Sequence, residues 1–321
     1  MRGMFKALGV VFVGFLIIVV LTGTVSFIKR AWFGYGAGYT GKRVAVVDLA
    51  GMIISSTSFV EDMKDYADDS SIKAIVVRIN SPGGMVAPSQ EMYNAIKNAD
   101  TKKPVLISMG SVAASGGYYA ALGGRKIYAN PGTLTASIGV IMEFLNLEKL
   151  YQWAKVSRFT LTAGQMKDAG SPLKSMTSDE KKMFQAMLND IHTQFRAAVQ
   201  ERRKIESPTL ETITDGRVMT GSQALAAKLI DALGGLEETL AEAKKLGGLP
   251  ADAAVEFPDK SQSLLRKILL GEEGESSNSL FRGILESLAP GLSGMGAVRA
   301  EGGLPVQLSP GWNVLLKAPV F

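Results

Sequence analysis

A serine at position 115 stands where the sequence changes its period. Pro104-Val-Leu-Ile107 is an apolar run of the kind that forms a buried strand. It leads through Ser108-Met-Gly-Ser-Val-Ala-Ala to Ser115-Gly-Gly-Tyr-Tyr119, small residues and then two tyrosines with enough helical character to begin a helix. A hydroxyl at such a strand-to-helix turn can be aimed outward, with backbone N–H groups of the helix start beside it. Those are the positions of a nucleophile and an oxyanion donor. The competing reading is a small-residue turn chosen for close helix packing. A serine nucleophile also needs a group to take its proton. The chain has one histidine, His192, and no cysteine. His192 sits in a long helical stretch with nothing in the sequence to bring it to Ser115, and it is read as a helix-face residue. A lysine can serve if burial or another local influence lowers its pKa from the free value of about 10.4. Lys167, in Thr162-Ala-Gly-Gln-Met-Lys-Asp-Ala-Gly-Ser-Pro172, lies in a loop of small residues. On its own it is one lysine among many. One histidine and no cysteine leave no transition-metal ligand set, so no metal is expected.

The elements that must hold these residues alternate between strand and helix. Strands are read at residues 44–49, 72–79 and 104–109, with helices at 58–68 and 88–99 between them. That rhythm argues for parallel pairing with crossover helices. Short strands follow at 126–129 and 158–162, and Leu147 to Ala154 looks helical. Residues 178–203 form the longest helix of the polar part of the chain. Its apolar stripe is Phe184, Leu188, Ile191, Phe195 and Ala198, and Asp179 and Glu180 suit its first turn. An extended piece at 217–221 and helices at 222–229 and 237–246 complete the pattern. Beyond Pro250 the character changes to short amphipathic pieces among glycines and prolines, read as a loosely ordered tail over 251–321.

Four motifs then occur in one order. They are Asn80-Ser-Pro-Gly-Gly84, the run from Ala113 to Tyr119, Lys167-Asp-Ala-Gly-Ser-Pro172, and Gly216-Arg-Val-Met-Thr-Gly221 followed by Leu229-Ile-Asp-Ala-Leu-Gly234. Over about residues 44–250 this resembles the short, single-domain form of the signal peptide peptidase A family, membrane-anchored serine peptidases with the Clp protease/crotonase fold. The resemblance implies an α/β domain of stacked βαβ units. It also implies a Ser–Lys dyad, with Ser115 as nucleophile and Lys167 as general base. Gly83 and Gly116 are expected to donate the oxyanion-hole N–H groups, and Ser137 is a candidate second hydroxyl to hold the lysine amine. No cofactor is expected. Lys228 departs from the pattern, standing where such proteins commonly carry glycine.

Charge and hydropathy set the compartment. Six of the 35 basic residues lie within the first 43, which hold no acidic residue, leaving 29 basic against 30 acidic residues in the remainder. The net charge of +5 therefore belongs to the N-terminus, and a nucleic-acid surface is rejected. Residues 7–28 carry no charge and would span about 33 Å as a helix, enough to cross a bilayer. Lys29, Arg30 and Trp32 follow as interfacial anchors. The expected organisation is a stub and transmembrane anchor over 1–30, a linker over 31–43, the peptidase domain over 44–250 and the tail. The glycines of 36–41 resemble nucleotide-binding loops but follow the apolar span and precede a strand, so they are decoys. The expected partners are the lipid bilayer, peptide substrates and further copies of the chain, since this fold usually assembles into rings. The resemblance also puts the catalytic domain outside the cytoplasm. The alternatives are an acyl-CoA hydratase or isomerase on the same fold, and a non-catalytic membrane scaffold.

Overall fold

Three apolar runs fold side by side as parallel strands: β1 (Arg43–Ala50), β2 (Ile72–Ser81) and β4 (Val105–Ala114). The computed structural model describes residues 41–258 and a strand at 315–317. The runs are almost continuously apolar because helices cover both faces of the sheet. On one face Val44, Val46, Ala74, Val76 and Leu106 pack against Leu240 and Ala243 of helix α8 (Leu236–Leu246). On the other, Ala45, Val47, Ile75, Val77 and Ile107 belong to the larger core. That core is filled from α1 (Thr57–Asp68), α2 (Val86–Lys102) and α3 (Gly116–Ala121).

The sheet branches at β4. The first part of this ten-residue strand pairs in parallel with β5 (Lys126–Ala129), its end with β6 (Leu134–Ala136). The order is β7-β6-β4-β2-β1-β9, where β7 (Val218–Thr220) is antiparallel to β6 and β9 (Val255–Glu256) is parallel to β1. Strand β8 (Ala232–Leu233) continues the branch from β5. Between Ile79 and Ser81 the β2–β4 register slips, so that Ser81 faces Ala113. Beyond that slip β2 leaves the main sheet and continues as β3 (Gly83–Met85). The α/β reading and its parallel core are thus observed.

Some expectations are corrected. Residues 158–162 are not a strand, because they pair with no strand of the described sheet and bury no apolar face. Phe159 and Leu161 are instead 84% and 83% exposed. Between α4 (Glu148–Trp153) and Lys167 the chain runs over the surface. A short helix α6 (Ser207–Ile213) follows the long α5 (Ser178–Arg203) without having been read, and α7 (Gly221–Ala226) is shorter than expected. Lys228, the departure from the glycine pattern, has φ 60°, the left-handed backbone that glycine adopts without strain. The uncharged stretch 7–28 lies outside the described residues. Among the described residues no helix is long and apolar enough to cross a membrane.

Helix α5 begins one residue earlier in its capping than its acidic first turn suggests. Thr177 Oγ1 accepts the Glu180 N–H at 3.2 Å, and the Glu180 carboxylate accepts the Thr177 N–H at 2.9 Å. The same carboxylate, buried at 3% exposure, receives Lys174 Nζ at 2.8 Å. The Lys174 hydrogen bond, first, and the Thr177 N–H hold the Glu180 carboxyl below the usual glutamate range. Its folded pKa is therefore lower than its unfolded one. The stability it adds is fully present above the unfolded value of about 4.3 and is lost as pH falls through the folded value. Glu180→Ala should cost about 1–3 kcal/mol at pH 7, from the lost cap and the lost Lys174 ion pair, Lys174 keeping Asp168 alone. Thermal unfolding between pH 3 and 7 checks this: the wild-type advantage should shrink toward the acid end.

Candidate active site

Strand β4 delivers Ser115 onto a sharp turn. Its backbone, at φ 54° and ψ −119°, lies in a region that non-glycine residues rarely adopt. Two ladder-like bonds fix it there: Ser115 N–H donates to Ala136 O at 2.8 Å, and Ser115 O accepts the Tyr119 N–H at 2.8 Å. Helix α3, only six residues long, is pinned by its tyrosines. Tyr118 is fully buried and donates its hydroxyl to Leu229 O at 2.8 Å, and burial raises its pKa. Tyr119 packs edge-on to Tyr93 and against Phe195. Both are packing residues here. The Ser115 side chain is buried, and its Oγ has no hydrogen-bond partner among the described residues. A buried hydroxyl without a partner is costly, and such atoms mark sites kept for a ligand or a reaction.

The donors beside it come from two glycines that must approach without side chains. A Cβ on Gly116 would sit 2.4 Å from Ser89 Oγ and 3.2 Å from the Gly84 nitrogen. One on Gly84 would lie 2.0 Å from the Ile53 carbonyl oxygen. The contact with Ile53 decides how β3 faces. Ile53 N–H donates to Gly83 O at 2.9 Å and Met85 N–H to Ile53 O at 2.8 Å. By the alternation of an extended strand, the N–H and C=O of Gly84 point to the opposite edge. The N–H of Gly83, expected as an oxyanion donor, instead bonds Ser81 Oγ at 3.1 Å. Gly84, beside Gly116, is the residue whose N–H faces outward. The sequence offered a Gly-Gly pair and no means of telling which member was turned.

Ser137 arrives by register. Ala114 and Ala136 are the last pair of the β4–β6 ladder, so Ser115 and Ser137 are the next residues on adjacent strands. Ala136 and Ser137 both have positive φ, 63° and 52°, and Ser137 N–H donates to Arg217 O at 2.9 Å. Ser137 is buried beside the nucleophile turn. Lys167 is placed differently. It lies on an exposed turn whose backbone closes from Lys167 N–H to Gly164 O at 3.1 Å. Its amine makes no hydrogen bond to Ser115 Oγ. The nearby Lys174 is bound to Glu180 at 2.8 Å and Asp168 at 2.9 Å, and those bonds raise its pKa, so it holds its proton. His192 places Nε2 2.7 Å from Thr214 O. It lines a cavity of about 430 Å³ with Gly139, Ile141, Leu188 and Asp215. It makes no hydrogen bond to Ser115 Oγ.

The family model for peptidase family S49 matches residues 97–249, and that for Clp protease matches residues 54–135. A protein of Synechocystis sp. named as a protease is 34% identical over 252 residues, covering 78% of this chain and 91% of its own length. The chloroplastic serine protease SPPA of Arabidopsis thaliana is 32% identical over 74% of this chain and 36% of its own. A protein of Enterococcus faecium named as signal peptide peptidase SppA is 32% identical over 62% of this chain. The chain spans 58% of that relative.

The backbone at Ser115 makes a prediction of its own. Left-handed strain of this kind costs about 1–3 kcal/mol, against about 0.5–1 kcal/mol of extra chain entropy for glycine. Ser115→Gly should therefore unfold at a higher temperature than Ser115→Ala, by about 2–4 °C for each kcal/mol recovered. A melting comparison of the two variants that ranks them in the opposite order would show that the turn is unstrained.

Proposed function

The chain belongs to peptidase family S49, the signal peptide peptidase A family, and from that premise we propose a membrane-anchored serine endopeptidase acting on membrane-associated peptides. Remnant signal peptides are the substrate class the family suggests. The observation that carries the reading is the buried, unpartnered Ser115 Oγ on its strained turn beside two outward or helix-start N–H groups. Ser115 Oγ attacks the scissile carbonyl carbon while its proton passes to the Lys167 amine. The oxyanion that develops is received by the N–H groups of Gly84 and Gly116. Collapse expels the leaving amine, which takes the proton back from Lys167, and water then hydrolyses the acyl-enzyme on Ser115 by the same route. A lost oxyanion donor typically costs about 3 kcal/mol of transition-state stabilisation.

For that mechanism Lys167 must lose its solvent. A second copy of the chain supplies the covering surface. Trp153, Phe159 and Leu161 are more than 80% exposed, and Leu150 and Val156 are more than half exposed, on the segment that ends at Lys167. Apolar exposure on that scale marks an interface. Burying the segment in a homo-oligomer would desolvate the amine and bring it to a Ser115 hydroxyl. The uncharged residues 7–28 support a single membrane span, and the family resemblance supports a catalytic domain outside the cytoplasm.

A fluorophosphonate probe tests the reading. It should label the wild-type chain at Ser115 and leave Ser115→Ala unlabelled. Lys167→Ala should lose at least about 10²–10⁴ in turnover with its fold intact, and Lys167→Arg should not restore it, because a guanidinium stays protonated. His192→Ala should keep near wild-type activity. A Lys167→Ala enzyme with half the wild-type rate would end the dyad assignment. Elution of the detergent-solubilised protein as a monomer with full activity would end the role given to assembly.

A further inference from the structure

Every backbone N–H and C=O of Gly83 and Met85 has a partner, and buried serines supply half of those partners. Ser81 Oγ accepts the Gly83 N–H at 3.1 Å, and Ser89 Oγ donates to Met85 O at 2.7 Å. Ile53 makes the remaining bonds, to Gly83 O and from the Met85 N–H. What is left for the outer edge of β3 is the N–H and C=O of Gly84. A trans peptide points its C=O and N–H in opposite directions. The bond from Ile53 to Gly83 O therefore turns the Gly84 N–H outward for as long as the Gly83–Gly84 plane keeps its orientation.

That plane hangs on a free pivot. Gly83 has φ 101°, and glycine populates positive and negative φ about equally. Rotation there would bring Gly83 O toward the site and take the Gly84 N–H away from it. The Ser81 hydroxyl fixes the preceding Pro82–Gly83 plane, so the pivot is held from both sides, by Ser81 and by Ile53. Ser81 is in turn anchored to both arms of the nucleophile turn. Beyond the register slip it pairs with Ala113, two residues before Ser115. Its carbonyl oxygen lies against Gly117, two residues after Ser115, where a Cβ would stand 2.9 Å from it.

From this we infer that Ser81 is the positioning residue of the oxyanion hole, tying the Gly83–Gly84 pair to the frame of Ser115. It acts through Gly83 and not by touching the substrate. The inference rests on the reading of Ser115 as nucleophile and of Gly84 as donor.

Saturation kinetics of fluorophosphonate labelling, on the full-length protein in detergent, test it. In that reaction Ser115 Oγ bonds phosphorus, fluoride leaves, the serine proton passes to the base, and the phosphoryl oxygen takes the place of the oxyanion. Ser81→Ala should lower the maximal labelling rate about ten- to a hundredfold, less than the loss of a whole donor. The half-saturating probe concentration should stay within about twofold, because the donor is used in the transition state. Ser81→Cys keeps the volume but offers a weak acceptor, so it should fall with Ser81→Ala rather than with wild type. The pH at which labelling rises should not move in either variant, since the base is untouched. Thermal melting sets an assay temperature at which all three chains are folded.

A maximal rate for Ser81→Ala within about threefold of wild type would overturn the inference. A raised half-saturating concentration at an unchanged maximal rate would do so too, as it marks ground-state binding. Wild-type kinetics in Ser81→Cys would reduce Ser81 to a filler of space, and a shifted pH limb would move its role to the base. If the wild-type chain is never labelled at Ser115, the peptidase reading has failed and this inference falls with it. Labelling of wild type at Ser115 with unchanged kinetics in Ser81→Ala ends only the role given to Ser81.

Discussion

The backbone of Ser115 is in a conformation that its own side chain disfavours, and the surrounding structure exists to hold it there. A non-glycine residue keeps such dihedrals only when its neighbours over-determine them. Here the β4–β6 ladder takes its N–H, helix α3 takes its carbonyl, and the buried Tyr118 hydroxyl ties that helix to the Leu229 carbonyl. The strained turn carries a hydroxyl without a hydrogen-bond partner among the described residues, next to Gly116, which closely approaches Gly84. Two of those fixings, Ser115 to Ala136 and Tyr118 to Leu229, join residues far apart in the chain, while the bond to Tyr119 is local. The turn at Ser115 therefore depends on the packed sheet as well as on the local run Ala113 to Tyr119.

Close approach is the second constraint. Gly84 and Gly116 lie where any Cβ would run into Ile53 or Ser89, so the wall of the site is bare backbone. Bare backbone presents N–H groups, which is what a developing oxyanion needs. It also presents a strand edge, which is what an extended peptide needs. Both uses follow from the slip of register between β2 and β4 that carries β3 out of the main sheet. The strand at 315–317 pairs along this edge, with Leu316 opposite Gly84.

The base side of the chemistry is assembled less locally. Lys174, near Lys167 in sequence, is neutralised as a base by Glu180 and Asp168, whose bonds keep its proton in place. Lys167 stands at the end of a surface segment studded with exposed aromatic and aliphatic side chains. Ser115 is buried while Lys167 lies on an exposed turn, and no hydrogen bond joins the two.

The sequence by itself determined the parallel α/β core. Apolar runs at 44–49, 72–79 and 104–109 with helices between them have few ways to bury both faces. It also singled out Ser115, because a strand, a serine and a glycine-led helix form a short local pattern. The order of the four motifs carried the family. It did not determine which glycine of the pair turns its N–H outward, since that is set by the bonds between Ile53 and β3, thirty residues apart in the chain. It overstated a strand at 158–162, because alternation alone says nothing about whether an edge is available to pair with. The left-handed backbone of Ala136, Ser137 and Lys228 was equally hidden, as these residues are not the glycines that announce such positions. Only tertiary structure decided these points, because each depends on a hydrogen-bond partner far away in sequence, and local propensity carries no record of that partner.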